Sequence, residues 1–493
     1  MRETKTARQV WEPFGHAELN LIKTRQVLRF EGTGAGSTSC ADYTTIVPRF
    51  LRDDFLCYNI LMERNYSALL EKSLSGLRLE LLRLLAYQAV VLRVPLYLVG
   101  GVVRDVLLGR PANDFDLVVE GNAAALAELV LKKHGGKILT NSRFGTAKWI
   151  LTEETLNRLG FPFLRFPDAQ FLVDLISARS ETYSRPGALP TIKLSTIQDD
   201  LMRRDFTINA MALRLDGEHF GELFDPMLGQ QDLERGLIRV LHSKSFVDDP
   251  TRIMRGVRYA VRYGFEIDRE TLALINDESR GVLSELSGER LRHEFDLVFE
   301  EEDSSAVLKR LAEVDVLRPI HHALMLANHD MPSIENPGPE FGEFAVPDIL
   351  TLRQALCWTL WLMSLPVSEI DSIAARLDFP ALLIKTLRAA STLLAGIPSL
   401  MDWKPSQWTF HLDNLPALAV YAVYLSEKES ALYAYLVKWR HVKPFTTGDD
   451  LKQRGLEPGP RYAEILRRLR AAWLDGEVGS KAEEEKRLLE EIS

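Results

Sequence analysis

The spacing of apolar residues divides the chain into a mixed half and a helical half. Leucines recur at helical intervals from Leu77 onward until Pro95, and the apolar run 96–99 that follows predicts a buried strand. Further segments alternate between the two patterns, with helices predicted at 102–108 and 123–134 and strands at 115–119, 147–151, 171–176 and 208–215. Strands and helices therefore mix between about residues 77 and 216, which predicts an α/β domain.

Outside that domain the pattern changes. Residues 1–60 show no regular spacing and predict a flexible leader, in which the glycines of the run 32–36 lack the G-x-G-x-x-G spacing of a dinucleotide loop. After about residue 236 long helical patterns dominate, and a loop rich in proline, glycine and glutamate interrupts them at 328–347. The last segment, 481–493, is predicted to be a charged helix or a frayed tail.

The composition limits the class of protein. With 493 residues, 46% of them hydrophobic, the chain is long enough for several domains and too apolar to be disordered. Its three cysteines, Cys40, Cys57 and Cys357, lie too far apart for a disulfide framework or a zinc clamp, which predicts a reducing, cytoplasmic location. No apolar run approaches ~18 residues, and the N-terminus lacks the apolar core of a secretory signal, so no membrane span is expected.

A pair of carboxylates follows a double glycine. Gly100-Gly101 stands between the first predicted strand and its helix, where small residues let backbone N–H groups approach a phosphate. Asp114 and Asp116 begin the next strand, and because side chains alternate along a strand, both should point to the same side. Two converging carboxylates suit Mg²⁺, although two solvated aspartates at a strand start are the alternative. Asp174, on a further predicted strand, is either a third carboxylate of this site or a buried structural aspartate.

Although the net charge is −9, arginines cluster in two places where a polyanion could bind. The first is Arg203-Arg204 followed by Asp205. Adjacent guanidinium groups bind phosphate oxygens well, and Asp205 could accept a hydrogen bond from a ribose hydroxyl. The alternative is local ion pairing of the two arginines with Asp199 and Asp200.

The second cluster lies on one predicted helix, which Asp249 should cap and in which Pro250 suits the first position. Four arginines then recur every three or four residues and form one stripe: Arg252, Arg255, Arg258 and Arg262. Such a row repels itself unless an anion is bound, which favours a triphosphate site over the alternative of a solvated basic face. Asp249 and Arg252 could also present an acceptor and a donor to the edge of a nucleobase.

Together, and in this order, these motifs resemble those of the class II tRNA nucleotidyltransferases, the CCA-adding enzymes, which are close relatives of bacterial poly(A) polymerases. The resemblance spans roughly residues 80–300. It rests on four motifs, which are Leu98-Val99-Gly100-Gly101-Val102-Val103-Arg104-Asp105, Asp114-Phe115-Asp116, the run from Arg203 to Ala210, and the run from Asp249 to Arg255. The tail segments 448–451 and 455–460 are similar to the C-terminal region of many bacterial members.

The resemblance implies an α+β fold in a seahorse-like molecule. An N-terminal extension at 1–76 would precede a catalytic head at 77–216, in which a mixed β-sheet is combined with helices. An all-α neck at 217–300 would recognise the nucleotide, followed by a helical body at 301–440 and a helical tail at 441–493 that binds tRNA.

The resemblance also implies roles for individual residues. Asp114 and Asp116 would be the catalytic metal ligands, and the positions of Asp249 and Arg252 would select C or A without a nucleic-acid template. The nucleotide-contacting positions carry over as Gly101, Arg104, Arg204, Asp249, Arg252, Arg255 and Arg258, to which the reasoning above adds Gly100 and Asp205. The family usually has Glu-Asp before the proline where this chain has Asp248-Asp249, and 181–187 occupies the place of its flexible loop.

The implied activity is Mg²⁺-dependent, two-metal addition of CMP and AMP to the 3′ end of tRNA, from CTP and ATP, with release of pyrophosphate. A poly(A) polymerase and an enzyme that adds only CC or only A remain close alternatives. A tRNA-binding protein that has lost catalysis is the alternative from another class.

Two further features carry weaker predictions. His321-His322 and His329-Asp330 are interpreted as surface or loop residues, because no ligand set of an HD phosphohydrolase accompanies them. In the tail, helical spacing turns four apolar side chains inward, which are Ile465, Leu466, Leu469 and Trp473. Four arginines lie mostly on other faces of this helix, which are Arg461, Arg467, Arg468 and Arg470. They form either a patch for the tRNA backbone or an ordinary solvated surface.

Overall fold

The computed structural model describes residues 65–74, 76–111, 116–141, 145–161, 171–182, 187, 191–332, 334 and 337–492. The predicted leader at 1–60 and Asp114, one of the two predicted metal ligands, lie outside the described residues. Residues 183–186 of the segment compared with the family's flexible loop lie outside them as well.

A seven-stranded mixed sheet forms the centre of the N-terminal half. The described strands are β1 (Leu96–Val99), β2 (Asp116–Val119), β3 (Lys137–Asn141), β4 (Thr146–Leu151), β5 (Phe171–Ser177), β6 (Arg179–Thr182), β7 (Thr191–Leu194), β8 (Ala212–Arg214), β9 (Glu222–Phe224), β10 (Leu237–Ile238) and β11 (Glu266–Ile267). The sheet has the order β3-β4-β5-β2-β1-β8-β9, in which β2 and β5 are parallel and all other neighbours antiparallel. Two small sheets pair β6 with β7 and β10 with β11.

Helices cover this sheet and make up nearly all of the C-terminal half. Those of the first half are α1 (Ser67–Ser73), α2 (Gly76–Leu92), α3 (Gly101–Leu107), α4 (Ala123–His134), α5 (Glu153–Arg158), α6 (Ile197–Met202), α7 (Gly229–Arg235), α8 (Ser245–Asp248), α9 (Thr251–Tyr263), α10 (Arg269–Ala273), α11 (Asp277–Ser284) and α12 (Gly288–Phe299). Those that follow are α13 (Ser304–Glu313), α14 (Leu317–Ile320), α15 (Leu352–Leu362), α16 (Val367–Leu377), α17 (Ala381–Leu400), α18 (Pro405–Leu412), α19 (Ala417–Glu427), α20 (Ser430–Val437), α21 (Gly448–Gln453), α22 (Pro460–Leu474) and α23 (Lys481–Ile492). The mixed sheet followed by helices confirms the α+β class.

Most elements of the first half agree with the hydrophobic pattern. All four residues of β1 are buried, as an apolar run in a central strand requires. Helix α4 buries Leu126 and Val130 on its inner face, and its cap residue Asn122 accepts from the N–H groups of Ala124 and Ala125. The predicted bounds of β1 and α4 are therefore confirmed, and those of β2, β4 and β5 differ by one residue at one end. Helix α3 begins and ends one residue earlier than predicted.

The strand predicted at 208–215 is wrong in its first half. Residues Thr207–Asn209 form a 3₁₀ turn, and strand β8 begins only at Ala212. The Thr207 hydroxyl donates to Asp232 at 2.7 Å and the Thr207 N–H donates to the Arg239 carbonyl at 2.9 Å, so one side-chain bond and one backbone bond fix a buried turn here. A continuous apolar run does not distinguish such a turn from a strand. Strand β9 extends the sheet past residue 216, and the domain boundaries stay a prediction.

Aromatic side chains fill the core between α12 and α15. Phe295 and Phe299 of α12 lie edge-on to Trp358, with ring centroids 5.5 and 4.9 Å away, and Trp361 lies beside the same pair. The Trp358 indole N–H donates to Asp296 at 2.8 Å, so the one polar atom of this buried ring is satisfied. This packing holds α12, which carries two residues of the site described below, rigidly against the helical half.

Helix α17 is the one described helix that is long and apolar enough to cross a membrane, judged by length and composition alone. It packs against α15, α16 and α19, and it buries Leu383, Leu387 and Leu393 among them. Helices of folded proteins can meet the same criterion, and 39% of the apolar window of α17 is buried within the protein.

Candidate active site

The backbone turn after β1 brings a glycine, an arginine and a carboxylate together. Gly100 has φ +76°, a left-handed conformation that glycine adopts without strain. A Cβ atom built there would lie 2.6 Å from Arg204 Nη1 and 3.9 Å from Asp116 Oδ2. Any larger residue would therefore displace the Arg204 guanidinium. Gly101 opens α3, and its Cβ position would lie 3.3 Å from Arg104 Nη2.

Two carboxylates occupy neighbouring strands at this point. Asp116 is the exposed first residue of β2, and in the parallel pairing of β2 with β5 its register partner is Asp174. Paired residues of neighbouring strands place their side chains on the same face. The Asp174 side chain is 37% exposed and lies 3.2 Å from the Lys148 ammonium, so the alternative of a buried structural aspartate is wrong. The Asp116 and Asp174 carboxylates therefore share one edge of the site beside Gly100.

Local ion pairs hold both arginines of the first cluster. Asp200 is fully buried and accepts from Arg203 at 2.8 Å and from Arg204 at 3.0 Å. Arg203 also pairs with Glu181 at 3.1 Å. The alternative of local pairing is thus confirmed for Asp200, whereas Asp199 binds the Ser195 hydroxyl. Because Arg204 meets Asp200 through Nη2, its Nη1 extends to the Gly100 turn.

Asp205 joins helix α9 to the buried turn that precedes β8. Its Oδ2 accepts from Nε and Nη2 of Arg255 at 3.0 and 2.8 Å, and its Oδ1 accepts from the Phe206 N–H and the Asn209 amide. Burial alone would raise the pKa of the Asp205 carboxyl, but these donors outweigh burial and hold the pKa below its ordinary value. Both oxygens are thus used within the protein, and the predicted ribose contact of Asp205 stays a prediction.

Three of the four arginines in the α9 stripe, Arg255, Arg258 and Arg262, pair with carboxylates of the protein. Arg258 is buried 3.9 Å from Glu294 and 3.7 Å from Glu301, and Arg262 also pairs with Glu301. The expectation that only a bound anion relieves the repulsion among these arginines is therefore wrong. Burial raises the pKa of Glu294 and lowers that of Arg258, so their mutual attraction does not fully offset desolvation.

The start of α9 is organised differently from the prediction. The helix begins at Thr251, and Pro250 is the residue before it. Asp249 nevertheless caps the start of the helix, because its Oδ1 accepts hydrogen bonds from the Thr251 N–H at 3.2 Å and from the Thr251 hydroxyl at 2.8 Å. Arg290, from α12, donates to the same oxygen at 3.1 Å.

Arg252 is buried and held by two hydrogen bonds. Its Nη1 donates to the Ser245 hydroxyl at 2.8 Å, and its Nη2 donates to the Arg203 carbonyl at 2.9 Å. The second bond joins helix α9 to the first arginine cluster. The Arg252 guanidinium therefore has a fixed position between the two.

Arg104 has partners that sequence reasoning did not find. It is buried, donates to the Asn209 side-chain oxygen at 2.6 Å, and pairs with Asp105 at 3.0 Å. Its guanidinium carbon lies 4.5 Å from the centre of the Tyr263 ring and 5.4 Å from that of Tyr259. The four-residue spacing of these tyrosines on α9, one helical turn, is the signal that could have suggested a shared partner.

The histidines called surface or loop residues form a small cluster with α16. The rings of His321 and His322 stack at 4.7 Å, and His322 Nε2 lies 3.4 Å from Glu369. Their ligand atoms are close enough to hold a metal ion, the one such group among the described residues. His321 already uses Nδ1 to accept from the Ala323 N–H and Nε2 to bind Ser372, which leaves it no nitrogen for a metal as it stands.

The tail buries its predicted apolar face. Ile465 and Leu469 of α22 are buried as expected, and Leu466 packs beside them. Two arginines of the predicted patch bind carboxylates, with Arg468 meeting Glu464 and Glu491 and Arg470 meeting Asp413. Arg467 lies over the Phe410 ring at 4.6 Å. The tRNA-binding role of this surface stays a prediction.

Comparison with known proteins adds family relationships to this geometry. Residues 96–239 match the family model described as the poly A polymerase head domain, and residues 264–325 match a probable RNA and SrmB-binding site of polymerase A. The A-adding tRNA nucleotidyltransferase of Halalkalibacterium halodurans is 33% identical over 426 residues, which cover 85% of this chain and 93% of the relative. A protein of the same name from Geobacter sulfurreducens is 34% identical, and the match covers 80% of this chain but only 44% of that longer relative.

Solved structures of CCA-adding enzymes share the fold. An apo form superposes with a TM-score of 0.70 at 29% identity, covering 87% of this chain and 99% of that one. The CCA-adding enzyme of Thermotoga maritima complexed with tRNA superposes with a TM-score of 0.66 at 28% identity and the same coverage. Complexes of a CCA-adding enzyme with ATP and with CTP are also similar, with TM-scores of 0.67 and 0.66.

Proposed function

Because the chain belongs to the family of tRNA nucleotidyltransferases that carry a poly(A) polymerase head domain, we propose that it extends the 3′ end of tRNA with nucleotides from CTP and ATP and releases pyrophosphate. The observation that carries this proposal is the meeting of Asp116, Arg204 and the Gly100 turn, with Asp174 in register on the next strand. A cytoplasmic location, as predicted from the spacing of the cysteines, is part of the proposal.

The carboxylates fit a divalent metal, which enzymes of this family use. Asp116 is exposed at the edge of the sheet beside its register partner Asp174, and carboxylate oxygens are the ligands that Mg²⁺ prefers. We therefore propose Asp116, together with Asp114 as the family pattern implies, as the residues that would hold Mg²⁺. When bound, the metal would activate the 3′-hydroxyl and neutralise the charge that develops on pyrophosphate.

The protein's own groups bind and orient the triphosphate. Gly100 allows a phosphate to approach the backbone closely, and Arg204, held by Asp200, supplies a cation beside that turn. Arg255 is held by Asp205 but is still 37% exposed on its side chain, so it can also reach a phosphate oxygen. Because these groups are fixed before substrate binds, little reorganisation is needed during the reaction.

Base selection is proposed for Asp249 and Arg252. All three donors that bind Asp249 contact Oδ1, and no described residue bonds to its Oδ2. Cytosine and adenine both carry an exocyclic amino group, a donor, at the position where uracil and guanine carry a carbonyl oxygen, an acceptor. A fixed carboxylate oxygen therefore accepts from C and A and repels U and G.

The proposal is tested by extension of three tRNA transcripts that end at the discriminator base, at C or at CC. Each is incubated with Mg²⁺ and one nucleoside triphosphate, or with CTP and ATP together, and the products are sized. Stepwise growth to CCA supports full CCA addition. The protein would be only a tRNA-binding protein if it bound tRNA but extended none of the transcripts and released no pyrophosphate.

Addition of A alone is the second candidate. It is favoured by the three relatives named A-adding enzymes, which match 76–85% of this chain at 31–34% identity. An A-adding enzyme would extend only the transcript that ends in CC, and only with ATP. Long homopolymer tails would instead identify a poly(A) polymerase.

Replacing Arg252 by alanine is expected to impair the choice of nucleotide more than the binding of triphosphate. The variant removes the guanidinium that joins Ser245 to the Arg203 carbonyl, so the proposed base-reading edge loses its donor. We expect the ratio of kcat/KM for ATP over GTP to fall about tenfold, since a good base contact contributes ~1–3 kcal/mol of discrimination. Arg269→Ala, at an exposed position on α10, is the control. An unchanged ratio in Arg252→Ala would contradict the base-reading role.

A further inference from the structure

One arginine outside all the predicted motifs contacts the proposed base-reading carboxylate. Arg290 of α12 donates from Nη2 to Asp249 Oδ1 at 3.1 Å and from Nη1 to the Gly187 carbonyl at 2.7 Å. Its two donor nitrogens thus bind two segments of the chain at once. The planar guanidinium fixes the angle between these bonds, which a point charge does not.

The backbone that carries Arg290 is itself rigid. Helix α12 begins with Gly288, where a Cβ would collide with the Arg376 carbonyl, so the helix start lies directly against the end of α16. Arg292 strengthens this contact by donating to the carbonyls of Leu377 and Asp378. The Ser287 hydroxyl accepts from the Arg290 N–H and caps the helix. Arg290 therefore extends from a backbone that has little freedom to move.

The second partner of Arg290 is also held. Gly187 has φ +66°, and a Cβ on it would lie 3.1 Å from Val282 and 3.3 Å from Leu286, so it packs closely on the α11 region. Its N–H donates to the Asp248 carbonyl at 3.2 Å. Gly187 is thus bound on one side to the residue before Asp249 and on the other to Arg290.

We propose that Arg290 is a positioning residue for base selection, which fixes the Asp249 carboxylate through Oδ1 so that Oδ2 faces the incoming nucleobase. This inference rests on the proposed function and adds a residue to it. Thr251 alone binds Asp249 from its own helix start, and the carboxylate could still rotate about that contact. The bond from α12 removes this rotation, and with it the exchange of the two oxygens. Arg290 does not touch the nucleotide itself.

The test compares R290Q with R280Q in the full-length enzyme on a tRNA ending in CC. Arg280 is the matched control, because it donates to the carbonyls of Val314 and Asp315 from the neighbouring helix and does not contact Asp249. For R290Q we expect the ratio of kcat/KM for ATP over GTP to fall about tenfold, mainly because kcat/KM for GTP rises. R280Q should keep the wild-type ratio. An R290Q enzyme with the wild-type ratio would overturn the proposal.

Two further variants separate positioning from a merely structural role. R290K keeps the charge without the paired donors and should recover only part of the discrimination, and it answers the same question if R290Q does not fold. In D249N/R290Q the ratio should equal that of D249N alone, because both changes act through one carboxylate. Additive losses would overturn the proposal. A wild-type enzyme that extends no tRNA would instead refute the proposed function.

Discussion

Replacing Asp116 by alanine is expected to abolish nucleotide addition while the protein stays folded. The carboxylate begins β2 beside Gly100 and Arg204, where it would hold the metal on which activation of the 3′-hydroxyl depends. Loss of that ligand should reduce kcat by ~10³-fold or more, which is several kcal/mol of barrier. Because Asp116 is exposed, the substitution should change the free energy of unfolding by less than about 0.5 kcal/mol. Single-nucleotide extension under enzyme excess measures the rate directly.

The control for this prediction is Glu120→Ala, which removes a carboxylate just beyond the other end of β2. It should leave extension at the wild-type rate. Asp174→Asn tests the third carboxylate. A reduction of kcat between those of Asp116→Ala and Glu120→Ala would assign Asp174 a supporting role. Near-normal turnover of Asp116→Ala, with normal tRNA binding, would reject the metal assignment.

Replacing Asp205 by alanine is expected to destabilise the protein and to disable it. The substitution leaves Arg255 without its carboxylate and Asn209 and the Phe206 N–H without their acceptor. Breaking a buried pair costs ~3–5 kcal/mol, and because the Arg255 side chain is 37% exposed we expect about 2–4 kcal/mol at neutral pH. Urea unfolding followed by tryptophan fluorescence measures this change.

The pH dependence of the same pair has a definite sign. The pKa of Asp205 is lowered in the folded protein, so its stabilising effect is complete above the unfolded value of about 3.9 and is lost as pH falls through the lower folded value. The stability difference between wild type and Asp205→Ala should therefore be constant from pH 7 down to about 5 and shrink below about 4. Asp371→Asn, which breaks an exposed pair with Arg388, should leave the unfolding midpoint unchanged. A difference that grows on acidification would contradict the assignment.

Local patterns predicted the elements of the head better than they predicted its site. Strand β1 and helix α4 have their predicted bounds because β1 is a short, fully buried apolar run, α4 has one apolar face, and clear stop signals follow both. The spacing of the arginines by three or four residues correctly indicated one helix, but it did not show which residues pack against that helix. Glu294 and Glu301 are distant in sequence, and nothing in the local pattern marks them as partners of Arg258.

The same limit applies to the residues proposed to select the base. Asp249 was identified from its motif and from its value as a cap, both of which are local properties. Arg290 lies in none of the four motifs, and its bond to Asp249 joins the start of α9 to α12, which packs against α16 through Gly288 and Arg292. Long-range packing of this kind is fixed by the tertiary fold, so spacing along the chain does not reveal it.

The parallel pairing of β2 with β5 has a consequence for how the enzyme becomes active during folding. Asp116 and Asp174 meet across this pair, while α4, β3, β4 and α5 lie between them in the chain. A parallel pair cannot close as a hairpin, and contacts between distant segments form slowly because loop entropy must be lost first. Acquisition of divalent-ion affinity during refolding should therefore lag behind helix formation, and a chain stopped before β5 should carry only part of its acidic site.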